Sequence, residues 1–90
     1  MLDDNPTSQR DVLHLSTVLV DPFDGAIRIL GDAQRFGLDL IELHLEPLPD
    51  RTCGMRISLR VPAGSDADLL RSRFARHGAV ASVERSRKAG

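Results

Sequence analysis

The chain has no tryptophan or tyrosine and only three phenylalanines in 90 residues. Its core is therefore aliphatic, and a sheet face that stacks nucleic-acid bases on aromatic rings is excluded. Its one cysteine, Cys53, leaves no internal disulfide, which fits a reducing compartment. With no base and orienting group marked beside it, Cys53 reads as an incidental loop residue and not a catalytic thiol. An excess of one charge is also missing: 12 basic side chains face 13 acidic ones, for a net charge of −1. That balance gives no electrostatic reason to expect nucleic acid or a membrane as partner. No apolar run approaches the roughly 20 residues that span a bilayer. The first ten residues are polar and acidic, unlike a secretory signal. The expectation is one soluble, cytoplasmic domain. A chain of this length buries only roughly 60–65% of its surface, so a partner subunit is a natural complement to its core.

What is present is a series of short periodic segments. Residues 1–10 read as a flexible tail and 87–90 as a flexible C-terminus, leaving one domain at 11–86. Over residues 11–20, Leu13, Leu15 and Leu19 alternate with His14, Ser16 and Val18, which predicts a strand with Thr17 interrupting its apolar face. The run Val18, Leu19, Val20 fits a central strand covered on both sides. Asp24 is the expected N-cap of a helix over residues 25–36, whose apolar stripe is Ala26, Ile29, Leu30, Ala33 and Phe36. Gly37 then supplies a left-handed stop.

Residues 38–46 predict a second strand, with Ile41, Leu43 and Leu45 on one face and Glu42, His44 and Glu46 on the other. A connecting loop covers 47–54. Residues 55–61 alternate most regularly, with Met55, Ile57, Leu59 and Val61 inward and Arg56, Ser58 and Arg60 outward. Pairing Leu45 with Ile57 sets Glu46 opposite Arg56 and Glu42 opposite Arg60, so charge favours that register. Ser65 followed by Asp68 resembles a capping box for a helix over 66–77, with Ala67, Leu70 and Phe74 on its stripe. Arg76 and His77 fall at its negative end, and Gly78 reads as a second left-handed stop. Residues 79–85 form the last strand, with Ala81 and Val83 inward.

The order strand, helix, strand, strand, helix, strand predicts an α+β, ferredoxin-like βαββαβ fold. Right-handed crossovers place both helices on one face of a four-stranded antiparallel sheet. The other face carries His14, Ser16, Glu42, His44, Arg56, Ser58 and Arg60. No metal site is expected: the loop after the first strand lacks a C-x-x-C pair, and Ser58 separates His14 from His44. No catalytic residue and no cofactor are expected either, because no nucleophile with a base and an orienter can be assembled.

The stretch that most resembles a site is 21–27, where the first strand opens onto a helix. Free backbone N–H groups and the positive end of a helix dipole can hold a small anion. The N–H groups of Gly25, Ala26 and Ile27 would take an α-carboxylate, and Asp21 and Asp24 an α-ammonium group. Gly25 lets a ligand or a neighbouring chain approach the backbone. The plainer reading of the same stretch is an ordinary capped strand-to-helix connection.

On these residues the chain resembles an ACT domain, the small regulatory module of amino-acid metabolism. Gly25 takes the family's glycine position, Ala26 and Ile27 its apolar pair, and Leu30 the later apolar position. Asp24 stands where the family usually has proline, and Pro22 lies earlier. Length and layout are most similar to the short small (regulatory) subunit of acetolactate synthase, through Phe36-Gly37 and Asp68-Leu69-Leu70. The resemblance implies a non-catalytic regulatory subunit in branched-chain amino-acid biosynthesis, pairing side by side as a homodimer. It also implies a catalytic large subunit as partner. Val, Leu or Ile would be the effector at Asp21, Phe23, Asp24, Gly25, Ala26 and Ile27, with Phe23 filling part of the pocket. The alternative is a ferredoxin-like assembly module without a ligand, docking through a sheet edge or through Arg56 and Arg60.

Overall fold

The computed structural model describes residues 10–86; of the tails expected at 1–10 and 87–90 only Arg10 is described, and it belongs to the first strand and not to the tail. The elements are β1 (Arg10–Leu19), α1 (Pro22–Arg35), β2 (Asp39–Pro47), β3 (Cys53–Pro62), α2 (Ala67–Ala75) and β4 (Val80–Arg85). The strands form one antiparallel sheet in the order β2-β3-β1-β4. This is the expected βαββαβ architecture, and both helices close over the same apolar sheet face.

That face is built by strict alternation in the two central strands. Leu13, Leu15 and Leu19 of β1 meet Met55, Ile57, Leu59 and Val61 of β3, all buried. Thr17 interrupts the row as expected, yet it is buried because its hydroxyl donates to the Met55 carbonyl at 3.0 Å. A satisfied hydroxyl carries little of the burial penalty of an unpaired one. Cys53 begins β3 and joins this core, so it is not an incidental loop residue. Val20 is exposed, so β1 is central without being covered on both sides over the whole of that run.

The edge strands depart from simple alternation at one residue each. Leu40 pairs with Leu59 and Glu42 with Ser58, leaving Ile41 as an extra residue in β2. Leu40, not Ile41, therefore shares the helix-side face with Leu43 and Leu45. In β4, Leu19 pairs with Val80 and Val18 with Ser82, leaving Ala81 as the extra residue. Val80 and Val83 are buried and Ala81 is exposed, which reverses the expectation for Ala81. An inserted residue shifts the two-residue period by one, so everything beyond it changes face.

The β2–β3 register also differs from expectation. Leu45 pairs with Met55 and His44 with Arg56, two residues from the arrangement that charge favoured. The turn decides this. The Leu48 N–H donates to Thr52 at 3.0 Å, closing the hairpin around residues 49–51 and fixing Pro47 opposite Cys53. Hairpin closure sets register outright, whereas an exposed cross-strand charge pair contributes only about 0.2–1 kcal/mol.

Helix ends follow local chemistry, with shifted caps. At the end of α1, Leu38 N–H donates to Ala33 at 2.9 Å and Gly37 N–H to Gln34 at 3.1 Å, with Gly37 at φ 76°. This pair of bonds needs a left-handed residue, and glycine takes that conformation without a Cβ clash. Gly78 does not repeat it, since among the described glycines only Gly37 and Gly64 have positive φ. The cap of α2 is Asp66, one residue after the expected Ser65; its carboxylate accepts from the Asp68 and Leu69 N–H groups, both at 3.1 Å.

The two helices are joined by a buried carboxylate. Asp32 of α1 is fully buried. Its Oδ2 lies 2.7 Å from His77 Nε2, and its Oδ1 bonds Arg35 and lies 3.3 Å from Arg76. Beside it, the Phe36 and Phe74 rings pack with centroids 6.2 Å apart. Asp32→Ala should lower stability by about 2–3 kcal/mol, because charged hydrogen bonds are lost and His77 is stranded. Urea unfolding of the two proteins measures this, and Asp32→Asn should fall between them.

Candidate functional site

The segment 21–27 is already helix for most of its length. α1 starts at Pro22, three residues earlier than expected, because Pro lacks the N–H that a first helical position leaves unpaired and its φ is preset for helix. Asp21, not Asp24, is the N-cap. Its carboxylate accepts the Asp24 N–H at 3.1 Å, and its carbonyl accepts the Gly25 N–H at 2.8 Å. Asp24 lies within the first turn, where its carboxylate pairs with Arg28 at 3.2 Å.

This changes the chemistry available there. The Gly25 amide is spent within the helix, and those of Ala26 and Ile27 occupy positions that donate to carbonyls four residues back. The protein's own Asp21 carboxylate occupies the positive end of the helix that was expected to receive an external anion. Gly25 is buried, and the atom that would meet its missing Cβ is Leu19 Cδ2, at 2.9 Å. Its small size lets α1 lie close on β1; no ligand space opens at that position.

The side chains of the segment point elsewhere. Ala26 packs partly into the core. Phe23 and Ile27 are 82% and 68% exposed. At 100° per residue both lie on the side of α1 away from Asp32, and Ile27 stands about 160° from the buried Ile29, so it faces out from the sheet. Leu40, Leu43 and Leu45, the helix-side residues of an edge strand exposed along its whole length, form a separate uncovered apolar strip on β2.

At one end of this strip a groove of about 390 Å³ opens between the start of α1 and the β2–β3 turn. Pro22, Leu45, Pro47 and Leu48 line it, together with Glu46 and Arg51. Sequence reasoning missed its far wall by treating 47–54 as a plain connection. A leucine between two prolines, followed by an arginine, was the available signal. On the opposite sheet face His14 Nδ1 is hydrogen-bonded to Ser58 Oγ at 2.8 Å, and His44 Nε2 lies 3.2 Å from Glu46. β3 stands between the two histidines, as expected.

No protein-family model matches the sequence, and no curated protein matches it. Solved structures do match the fold. The crystal structure of the ACT domain from GTP pyrophosphokinase of Chlorobium tepidum superposes with a TM-score of 0.69 at 17% identity, covering 87% of this chain and all of that domain. The solution structure of the C-terminal domain of the MgtC protein from Mycobacterium tuberculosis gives 0.69 at 12% identity, covering 99% of this chain and 98% of that one. The chain has the ACT-type ferredoxin-like fold. At these identities the likeness concerns the path of the chain and carries no activity with it. Among the described residues, no helix is long and apolar enough to cross a membrane.

Gly25 is thus a packing position, and its replacement tests folding. Gly25→Ala gains about 1 kcal/mol of helix propensity but drives a methyl into fully buried Leu19, at about 1–3 kcal/mol. The expected outcome is a net loss of stability, read as a lower denaturation midpoint. Leu19→Ala in the same background should relieve part of the strain, giving a non-additive double-mutant cycle.

Proposed function

We propose that this chain is a non-catalytic regulatory domain of the ACT type that works as a homodimer and holds a small apolar amino acid beside the start of α1. The observation that carries this is the exposed apolar strip of Leu40, Leu43 and Leu45 along the open β2 edge, on a domain whose α1 also exposes Phe23 and Ile27. Such a strip on a small domain is a surface to be covered, and an unpaired edge strand beside it offers backbone groups for extending the sheet. A second copy related by a two-fold axis presents the same edge and the same leucines. The segment with Asp21, Phe23, Asp24, Gly25, Ala26 and Ile27 then lies near the interface, through its side chains and not its amides. Valine, leucine or isoleucine suits the apolar groove wall. Following the sequence resemblance, the regulated partner is the catalytic large subunit of acetolactate synthase.

A ligand-free assembly module is the second reading. It is favoured by the Asp21 carboxylate and carbonyl, which take up the Asp24 and Gly25 amides. Both readings share the dimer, and they part on the effector.

Sedimentation equilibrium should give twice the chain mass for the wild type. The doubly changed Phe23→Ser, Ile27→Arg protein should remain folded and sediment as a monomer, since both side chains are exposed. A monomeric wild type would sink the dimer. Calorimetric titration with valine, leucine and isoleucine decides the effector: heat from one of them supports the first reading, and silence from all three leaves the assembly module. Co-purification with an acetolactate synthase large subunit tests the partner.

A further inference from the structure

The hydrogen bonds of the sheet decide which backbone groups of β2 face its open edge. The Leu48 N–H donates across the β2–β3 turn to the Thr52 carbonyl, and the Ser86 N–H donates to the His14 carbonyl at 2.9 Å. In an antiparallel ladder, successive residues turn their N–H and carbonyl groups alternately to one neighbour and to the other. Counted back from Leu48, the residues Glu46, His44 and Glu42 turn theirs toward β3. Counted from His14, whose carbonyl faces β4, Ser58 turns toward β2, where its partner is Glu42. The two counts agree. The N–H and carbonyl groups of Leu43 and Leu45, and the Pro47 carbonyl, therefore point to the open side of β2. On the sheet face opposite the helices, the same stretch carries Glu42, His44 and Glu46, with His44 Nε2 at 3.2 Å from Glu46 Oε1.

We infer that two copies of the chain join antiparallel along this edge with Leu45 on the two-fold axis, so that His44 of each copy faces Glu46 of the other. This rests on the homodimer reading above and fixes its register. A two-fold axis perpendicular to the sheet keeps the helices of both copies on one side, so a leucine of β2 must oppose another helix-side residue. Centring on Leu43 sets Leu45 against Ile41, the extra residue, where the ladder breaks. Centring on His44 pairs Leu43 with Leu45, but it brings the two His44 rings together and sets Glu42 against Glu46. Like charges directly opposite one another are destabilising. Centring on Glu46 opposes that carboxylate to itself, and centring on Pro47 meets a residue without an N–H. Centring on Leu45 avoids all of these. Leu45 exchanges its N–H and carbonyl with its own counterpart, and the Leu43 N–H reaches the Pro47 carbonyl. The Leu43 side chain then packs on Pro47, at the mouth of the groove. On the other face, two imidazoles and two carboxylates alternate around the axis.

Paired cysteines in the full chain test this register. Opposed residues outside the hydrogen-bonded pairs of an antiparallel ladder stand about 4.5 Å apart at Cα, within the span of a disulfide. The His44→Cys and Glu46→Cys proteins, mixed in urea, refolded together and oxidised, should give a band at twice the chain mass on a non-reducing gel. Each variant alone should match the wild type, whose Cys53 is buried. Both side chains are half-exposed, so both variants should fold. A dimer band from His44→Cys alone puts His44 on the axis, which overturns this register and leaves the homodimer standing. No band from the mixture, while sedimentation of the wild type gives twice the chain mass, places the interface elsewhere and overturns the register as well. A monomeric wild type overturns the homodimer reading and this inference with it.

Discussion

The arrangement of the helices depends on one buried carboxylate. Asp32 lies between α1 and the end of α2, and three cationic or polar partners converge on it. A carboxylate without partners in such a place would be destabilising by several kcal/mol, so the burial and the clamp stand together. The two helices reach Asp32 from opposite sides of the chain. Arg35 comes from its own helix, while Arg76 and His77 come from 44 and 45 residues away. The same turn that supplies His77 also accepts the Val20 N–H through the Ala79 carbonyl at 2.9 Å. The α2–β4 connection therefore touches α1 and the β1–α1 loop at once. With α1 held to α2 on one flank, Ala26 and Leu30 pack on the core along the other, and Phe23 and Ile27 are left exposed.

Much of this fold could be read from periodicity. The alternation of Met55, Ile57, Leu59 and Val61 placed β3 at the centre, and the stripe of Ile29, Leu30, Ala33 and Phe36 placed α1 on the sheet. Gly37 marked its helix end correctly, because only one conformation satisfies those last carbonyls. The misreadings of the strand faces come from a single residue of offset. Ile41 and Ala81 are extra residues that invert a strand's faces without altering composition. The caps shifted because each helix start offers more than one competent acceptor, Asp21 with Asp24 and Ser65 with Asp66. Pro22 settled the first case by favouring a start at its own position. The Asp32 clamp was illegible, since a polar residue on an apolar stripe looks like surface until its partners are known.

For the candidate site, the sequence located a region more accurately than a mechanism. The strand-to-helix junction does border the groove, through Pro22. The expected donors there are consumed by the helix, and the groove's far wall comes instead from a turn that carried no motif. Anion recognition by a helix end requires free amides, and an aspartate cap removes them.

The two edges of the sheet are unequal, which bears on how far assembly can proceed. β4 is six residues long, interrupted at Ala81, and ends on Glu84 and Arg85. It is a poor template for another strand. β2 is longer, but its irregularity at Ile41 leaves a regular backbone ladder only from Glu42 to Pro47. A molecule with one serviceable edge can add a copy of itself there once. The sheet then presents only its two poor margins, and growth into a fibre has no place to continue. The single inserted residue at Ala81, in this light, works against polymerisation from the β4 margin.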